Sequence, residues 1–167
     1  MSVSTLEILM HRATQRSCGQ ECVDWAAGMI ERGLESTSLL ILAGMTSPFH
    51  SVQMSRLRDC ALDEICAPEL AIADPVSAYV AELLTSALHD PASLRTAFAK
   101  VTKLAIELGY PDALWPFYKL HQAATELEQF GDQVYWPGAT AANIDEVLRK
   151  EARGFLAHAG PALQPAQ

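Results

Sequence analysis

The sequence predicts an all-α protein of about eight short-to-medium helices, packed as antiparallel pairs in a single bundle or solenoid-like array. Three observations predict it. Apolar residues recur at three- and four-residue spacing along most of the chain, and strict alternation over five or more residues is hard to find. Asp-Pro and Ser-Pro pairs stand where the periodic runs begin or stop. The stretches between runs are short, about 3–12 residues, which favours antiparallel neighbours. No fixed-period repeat is visible. At 167 residues, 50% hydrophobic and 19% charged, the chain is read as one domain over residues 1–160. It can bury roughly two thirds of its unfolded surface without a metal or disulfide framework.

The first element is short, Leu6 to Met10. Over Glu21 to Arg32, Cys22, Trp25, Ala26, Met29 and Ile30 fall at offsets 0, 3, 4, 7 and 8, one helical stripe, and Gly33 stands where a left-handed residue would close it. Ser36 or Ser38 can cap the next segment, Leu39 to Met45. Its apolar residues run without a break, so this helix is expected to be central and covered on several sides. Ser47-Pro48 ends it. From Val52 to Cys66, Leu57, Cys60, Ala61 and Ile65 share a face while Arg58, Asp59, Asp63 and Glu64 are placed for water, and Pro68 closes the run.

Asp74-Pro75 and Asp90-Pro91 each mark a helix start, because Asp accepts from first-turn amides and Pro occupies a position whose missing N–H costs nothing. The first helix then carries Val76, Tyr79, Val80, Leu83, Leu84, Ala87 and Leu88 on one stripe; the second carries Leu94, Phe98, Val101, Leu104, Ala105 and Leu108. Gly109-Tyr110-Pro111 stops the second. A helix over Asp112 to Phe130 turns Leu114, Phe117, Leu120, Ala124 and Leu127 inward and tolerates Pro116 in its first turn. A loop from Gly131 to Gly138 holds Tyr135 and Trp136. Asn143 and Glu146 fit a cap-plus-acid pattern opening a last helix that buries Ile144, Val147, Leu148, Phe155 and Leu156. Residues 161–167 are expected to fray.

Lys and Arg number 12 against 20 Asp and Glu, a net charge of -8. An acidic chain without a polybasic run is a poor candidate for nucleic acid or anionic lipid, and Arg95, Lys100 and Lys103 on one helix are too few to change that. The opening residues Met1 to Glu7 carry no basic leader followed by an apolar stretch, and the longest charge-free segment, Ser36 to Ser55, is broken by polar residues and Pro48. Neither an export signal nor a membrane span is expected, and a cytoplasmic location is. Cys18, Cys22, Cys60 and Cys66 are accordingly expected to be reduced thiols.

Cys18, Cys22 and His11, completed by Cys60 and Cys66, would make a poor zinc set, since the second pair has too wide a gap; no metal or other cofactor is expected. No cysteine stands in a context that would clearly lower its pKa for nucleophilic work. Zinc-protease, phosphate-loop, dinucleotide and serine-elbow motifs are absent from the sequence, so no catalytic residue is nominated. His121, near the inward face with Glu126 and Glu128 following, reads as a buried hydrogen-bonded histidine; a deep pocket enclosing all three would instead favour an enzyme.

Charge layout is the strongest signal. From Asp59 through Leu94 there are seven acids (Asp59, Asp63, Glu64, Glu69, Asp74, Glu82, Asp90) and no Lys or Arg; from Leu120 through Leu148 there are five more (Glu126, Glu128, Asp132, Asp145, Glu146), again with none. If these stretches converge, they create a negative field that steers a basic partner; otherwise the acids coat the surface and cap helices. Tyr135 and Trp136 are either binding anchors beside that field or rings folded back over the core. Trp115, next to Pro116, allows the same two readings.

The segments Asp24-Trp25-Ala26 and Ser36-Thr37-Ser38-Leu39-Leu40-Ile41-Leu42-Ala43-Gly44-Met45, with Tyr135-Trp136-Pro137-Gly138-Ala139-Thr140, Asn143-Ile144-Asp145 and Glu151-Ala152-Arg153, resemble a family of small, functionally uncharacterised bacterial all-helical proteins. In class that family is similar to cytosolic immunity proteins that accompany secreted toxins. The resemblance implies a non-enzymatic module that neutralises a cognate, basic toxin domain, and it lends no catalytic residue. The expected contact set is Asp59, Asp63, Glu64, Glu69, Glu126, Glu128, Asp132, Tyr135 and Trp136. A helical adaptor for an endogenous partner is the alternative, and self-association is left open.

Overall fold

A computed structural model of the protein describes residues 3–65 and 72–159. Among these the chain is all-α, with eight helices: α1 (Thr5–Ala13), α2 (Gln20–Glu31), α3 (Thr37–Ala43), α4 (Ser51–Ile65), α5 (Pro75–Ala87), α6 (Pro91–Glu107), α7 (Trp115–Phe130) and α8 (Ile144–Ala159). None is long and apolar enough to cross a membrane. The expected fraying of 161–167 and the stop at Pro68 lie outside the described residues. The chain divides into two compact units, with the division after Tyr79 inside α5.

In the first unit α2 packs on α3, α3 on α4, and α1 on both α2 and α4. The interior is built from Ile8, Trp25, Leu39, Leu42, Met54 and their neighbours. Trp25 buries its indole and still satisfies its N–H, donating to Thr5 Oγ1 at 3.2 Å, which ties α2 to the start of α1. Gly33 closes α2 with φ of 83°, a left-handed conformation in which any Cβ would be strained. Ser36 accepts from the Leu39 amide at 3.2 Å and so starts α3.

Three expectations for this unit are corrected. Helix α3 is not covered on several sides: Ser38, Leu39 and Leu42 are buried, but Leu40 is 55% and Ile41 48% exposed. Seven residues make two turns, and only one stripe of them can meet α2 and α4. On α4 the buried face runs through Met54, Arg58, Ala61 and Leu62, so Arg58 points inward and Cys60 is exposed. A polar carbonyl draws the guanidinium in, since Arg58 Nη1 donates to the Arg16 backbone oxygen at 2.7 Å. Finally, Cys18 and Cys22 are not free thiols but form a disulfide, with their Cα atoms 5.8 Å apart. Cys18 lies just ahead of α2 and Cys22 in its first turn, which brings residues four apart within bonding reach.

In the second unit α6, α7 and α8 pack on one another pairwise. Phe117 is the hub, with its ring centroid 5.0 Å from Phe98 and 5.3 Å from Phe155. The Asp-Pro starts form as expected. Asp74, in the first unit, accepts from the Ser77 amide at 3.0 Å, and Asp90, in the second, from the Ser93 amide at 2.7 Å. Gly131 ends α7 in the left-handed region. The start of α8 differs from expectation. Asn143 directs its side chain back into the preceding loop, accepting from the Thr140 amide at 2.8 Å and donating to the Gly138 carbonyl at 3.0 Å, so it and Glu146 form no capping box.

Candidate functional site

Three nominated acids of the first base-free stretch, Asp59, Asp63 and Glu64, are engaged within their own unit. Asp63 pairs with Arg12 at 2.7 Å, and Asp59 with Arg58 Nε at 2.8 Å. Glu64 grips the start of α3: it accepts from the Ser38 hydroxyl at 2.6 Å and from the Ser38 amide at 2.9 Å, and the hydroxyl contact chiefly holds its carboxyl below the usual range. These acids belong to the first unit. Glu69 lies outside the described residues.

The remaining nominated residues belong to the second unit. Glu126 is half-buried and Glu128 exposed on α7, and Asp132 is exposed in the following loop. Tyr135 and Trp136 are half-buried, and their loop is organised by Gln133. That amide donates to the carbonyls of Trp136 at 2.7 Å and Ala139 at 3.1 Å, while its oxygen accepts from the Trp136 amide at 2.8 Å. Lys119 on α7 sets its Nζ 5.2 Å from the Trp136 ring centroid, a cation–π contact. Two further acids of the second base-free stretch are paired, Asp145 with Arg95 at 2.9 Å and Glu146 with Arg149 at 3.5 Å.

A recess of about 60 Å³ in this unit is lined by Arg95, Phe98, His121, Thr125 and Glu128 among others. It includes His121 and Glu128 but not Glu126, and it is small beside the roughly 300–1,000 Å³ of ordinary small-molecule pockets. Burial lowers the pKa of His121, which favours the neutral ring. No hydrogen bond to that ring is formed among the described residues, so the expected bonded histidine is not what the structure places there.

A different feature of the same unit was missed as a group by sequence reasoning. Trp115 and Tyr118 stack at 5.1 Å with planes 13° apart, and Tyr110 meets both edge-on, at 5.5 Å and 5.3 Å. Tyr110 and Trp115 nevertheless remain 43% and 40% exposed. Local sequence explains the assembly. Gly109 and Tyr110 both take positive φ, 73° and 59°, which reverses the chain after α6. Pro111 follows, and Trp115 and Tyr118 stand three apart in the opening turns of α7. That spacing, beside a Gly-Tyr-Pro turn, was the available signal.

Comparison with known proteins finds no matching family model, no matching curated protein and no matching solved structure.

Proposed function

We propose that the protein is a non-catalytic protein-binding module whose main anchor is the Tyr110, Trp115 and Tyr118 ring cluster. The observation that carries this reading is the pairing of exposure with order. Two large rings stay about two-fifths in water although each is fixed by its neighbours, and Tyr110 keeps a left-handed backbone that costs a non-glycine residue about 1 kcal/mol or more. Pre-ordered Tyr and Trp rings are the side chains that most often dominate binding energy, because little conformational entropy remains to be lost on contact. The net charge of -8 still steers a basic partner at long range, whereas Asp59, Asp63, Asp145 and Glu146 are already held by guanidinium groups and add little at docking. A cognate toxin domain is the partner class suggested by the sequence resemblance, which would make the chain an immunity protein.

The test places a photo-crosslinking residue at exposed Asp112, between Tyr110 and Trp115 in the sequence, in the full chain in its own cells. A single protein adduct that disappears in Trp115→Ala is expected. The purified pair should then show an affinity loss of about 30-fold for that variant, the scale of an aromatic hot spot. If the partner is toxic and rescued by co-expression, the immunity role stands, while a harmless endogenous partner makes the protein an adaptor. Adducts indifferent to Trp115 reject the aromatic anchor.

A further inference from the structure

The recess of about 60 Å³ in the second unit takes its walls from α6, α7 and α8. Its α7 wall is a single helical stripe, His121, Ala124, Thr125 and Glu128, at offsets 0, 3, 4 and 7. Phe98 of α6 and Leu148 of α8, both fully buried, supply the apolar floor. The polar side chains on this hollow are not spent on one another. Arg95 gives Nε and Nη2 to the same Asp145 oxygen, each at 2.9 Å, which fixes the guanidinium and leaves Nη1 uncommitted. Thr125 donates its hydroxyl proton to the His121 backbone oxygen at 2.9 Å, so its own oxygen can still accept. Neither the Glu128 carboxylate nor the His121 ring has a hydrogen-bond or ion-pair partner among the described residues. Burial favours the neutral form of that ring, in which one nitrogen donates and the other accepts. One small hollow is therefore lined by an unspent cationic donor, an unpaired carboxylate and two further acceptors over an apolar floor.

We infer that this recess binds a small zwitterion, an α-amino acid of about glycine size, with its carboxylate on Arg95 and its ammonium on Glu128. Size sets the upper limit. A water-sized group takes about 10–15 Å³ of such space, so the recess holds about five non-hydrogen atoms, the complement of glycine. Charge then selects among molecules that small. Arg95 already shares its charge with Asp145 and Glu128 adds a negative one, so a simple anion gains little; a simple ammonium ion leaves Arg95 Nη1 unmet. A zwitterion answers both groups with charge-assisted hydrogen bonds. The Thr125 oxygen and the neutral His121 ring remain as acceptors for the other ammonium protons. Bulky side chains are refused, because Phe98 and Leu148 close the floor. The Tyr110, Trp115 and Tyr118 rings line no part of this recess, and the inference does not rest on the protein-binding reading.

The test titrates the isotope-labelled full chain with glycine at constant pH and ionic strength and follows the His121 ring and the Ala124 and Thr125 amides by NMR. Saturable shifts confined to α6, α7 and α8 are expected, with a Kd of about 1 mM, the scale open to so few atoms. Acetate and methylammonium, each carrying one half of the zwitterion, should bind about tenfold more weakly, and tryptophan should produce no shift. Glu128→Gln, an exposed change that leaves the fold intact, should weaken glycine about tenfold, and Arg95→Gln should do the same. Should Arg95→Gln unfold for want of its Asp145 contact, Glu128→Gln alone decides. No saturable shift by about 100 mM glycine would overturn the proposal. Acetate binding as tightly as glycine, with Glu128→Gln silent, would make the recess an anion site and overturn the amino-acid assignment.

Discussion

Arg58 reaches across the first unit to Arg16, donating from Nη1 to the backbone oxygen at 2.7 Å, although the two residues are 42 positions apart. The same guanidinium binds Asp59 through Nε at 2.8 Å, so one buried cation connects α4 to the turn between α1 and α2. Removing it strands the Arg16 carbonyl and opens a hole where the 3%-exposed side chain stood. Arg58→Ala is expected to cost about 3 kcal/mol in a urea or guanidinium titration, and Arg58→Lys, which can keep one bond, about half as much.

Tyr110 separates backbone strain from ring contact. Tyr110→Ala loses the edge-on contacts and keeps the strain of positive φ, whereas Tyr110→Gly loses the contacts and relieves the strain. The glycine variant is expected to be the more stable of the two by about 1 kcal/mol, measured by thermal or chemical unfolding. Equal stability would show that the turn carries no strain.

The loop of residues 131–138 depends on one side chain. Gln133 makes two hydrogen bonds to the Trp136 backbone and one to Ala139 just beyond the loop, and Gln133→Ala is expected to lose about 1–2 kcal/mol and to speed amide exchange at Trp136. Trp136→Ala should act mainly on stability, since its ring is half-buried and covered by Lys119. A variant that melts normally but fails to bind its partner would restore Trp136 as an anchor.

Stability should fall in two stages on acidification. His11 and His121 are both shifted below the ordinary imidazole value of 6.5, chiefly by burial, so the unfolded chain binds more protons than the folded one as pH drops through that value. Their contribution is complete above 6.5 and is lost as pH falls toward their lower folded values. Below about 4.5 the carboxylates follow. Glu21 is lowered first by its own backbone amide, Glu64 by the Ser38 hydroxyl and Asp90 by Ser93, and each is stabilising only while ionised. Melting temperature measured from pH 8 to 3 should decline in both ranges, and His121→Gln should flatten the upper one.

The all-α class and most helix limits were legible from sequence, because they rest on local rules. Asp90-Pro91 begins a helix through a bond spanning three residues, and Gly33 ends one through its own backbone freedom. The stripe Leu94, Phe98, Val101, Leu104 and Ala105 is buried as its period dictates. Position on a helix face was less legible where a polar group had a distant reason to turn inward. Arg58 reads as a solvated charge until the Arg16 carbonyl is brought to it. Likewise, acids separated from bases in sequence, such as Asp63 from Arg12 and Asp145 from Arg95, become neighbours only after folding.

Sequence alone therefore determined the helices, most of their caps and the excess of negative charge, each a property of residues close in the chain. Tertiary structure decided which distant charges meet, as Asp63 meets Arg12 and Asp145 meets Arg95, and that Arg58 turns inward to the Arg16 carbonyl. Those outcomes depend on distances between segments many residues apart, which helical periodicity does not encode.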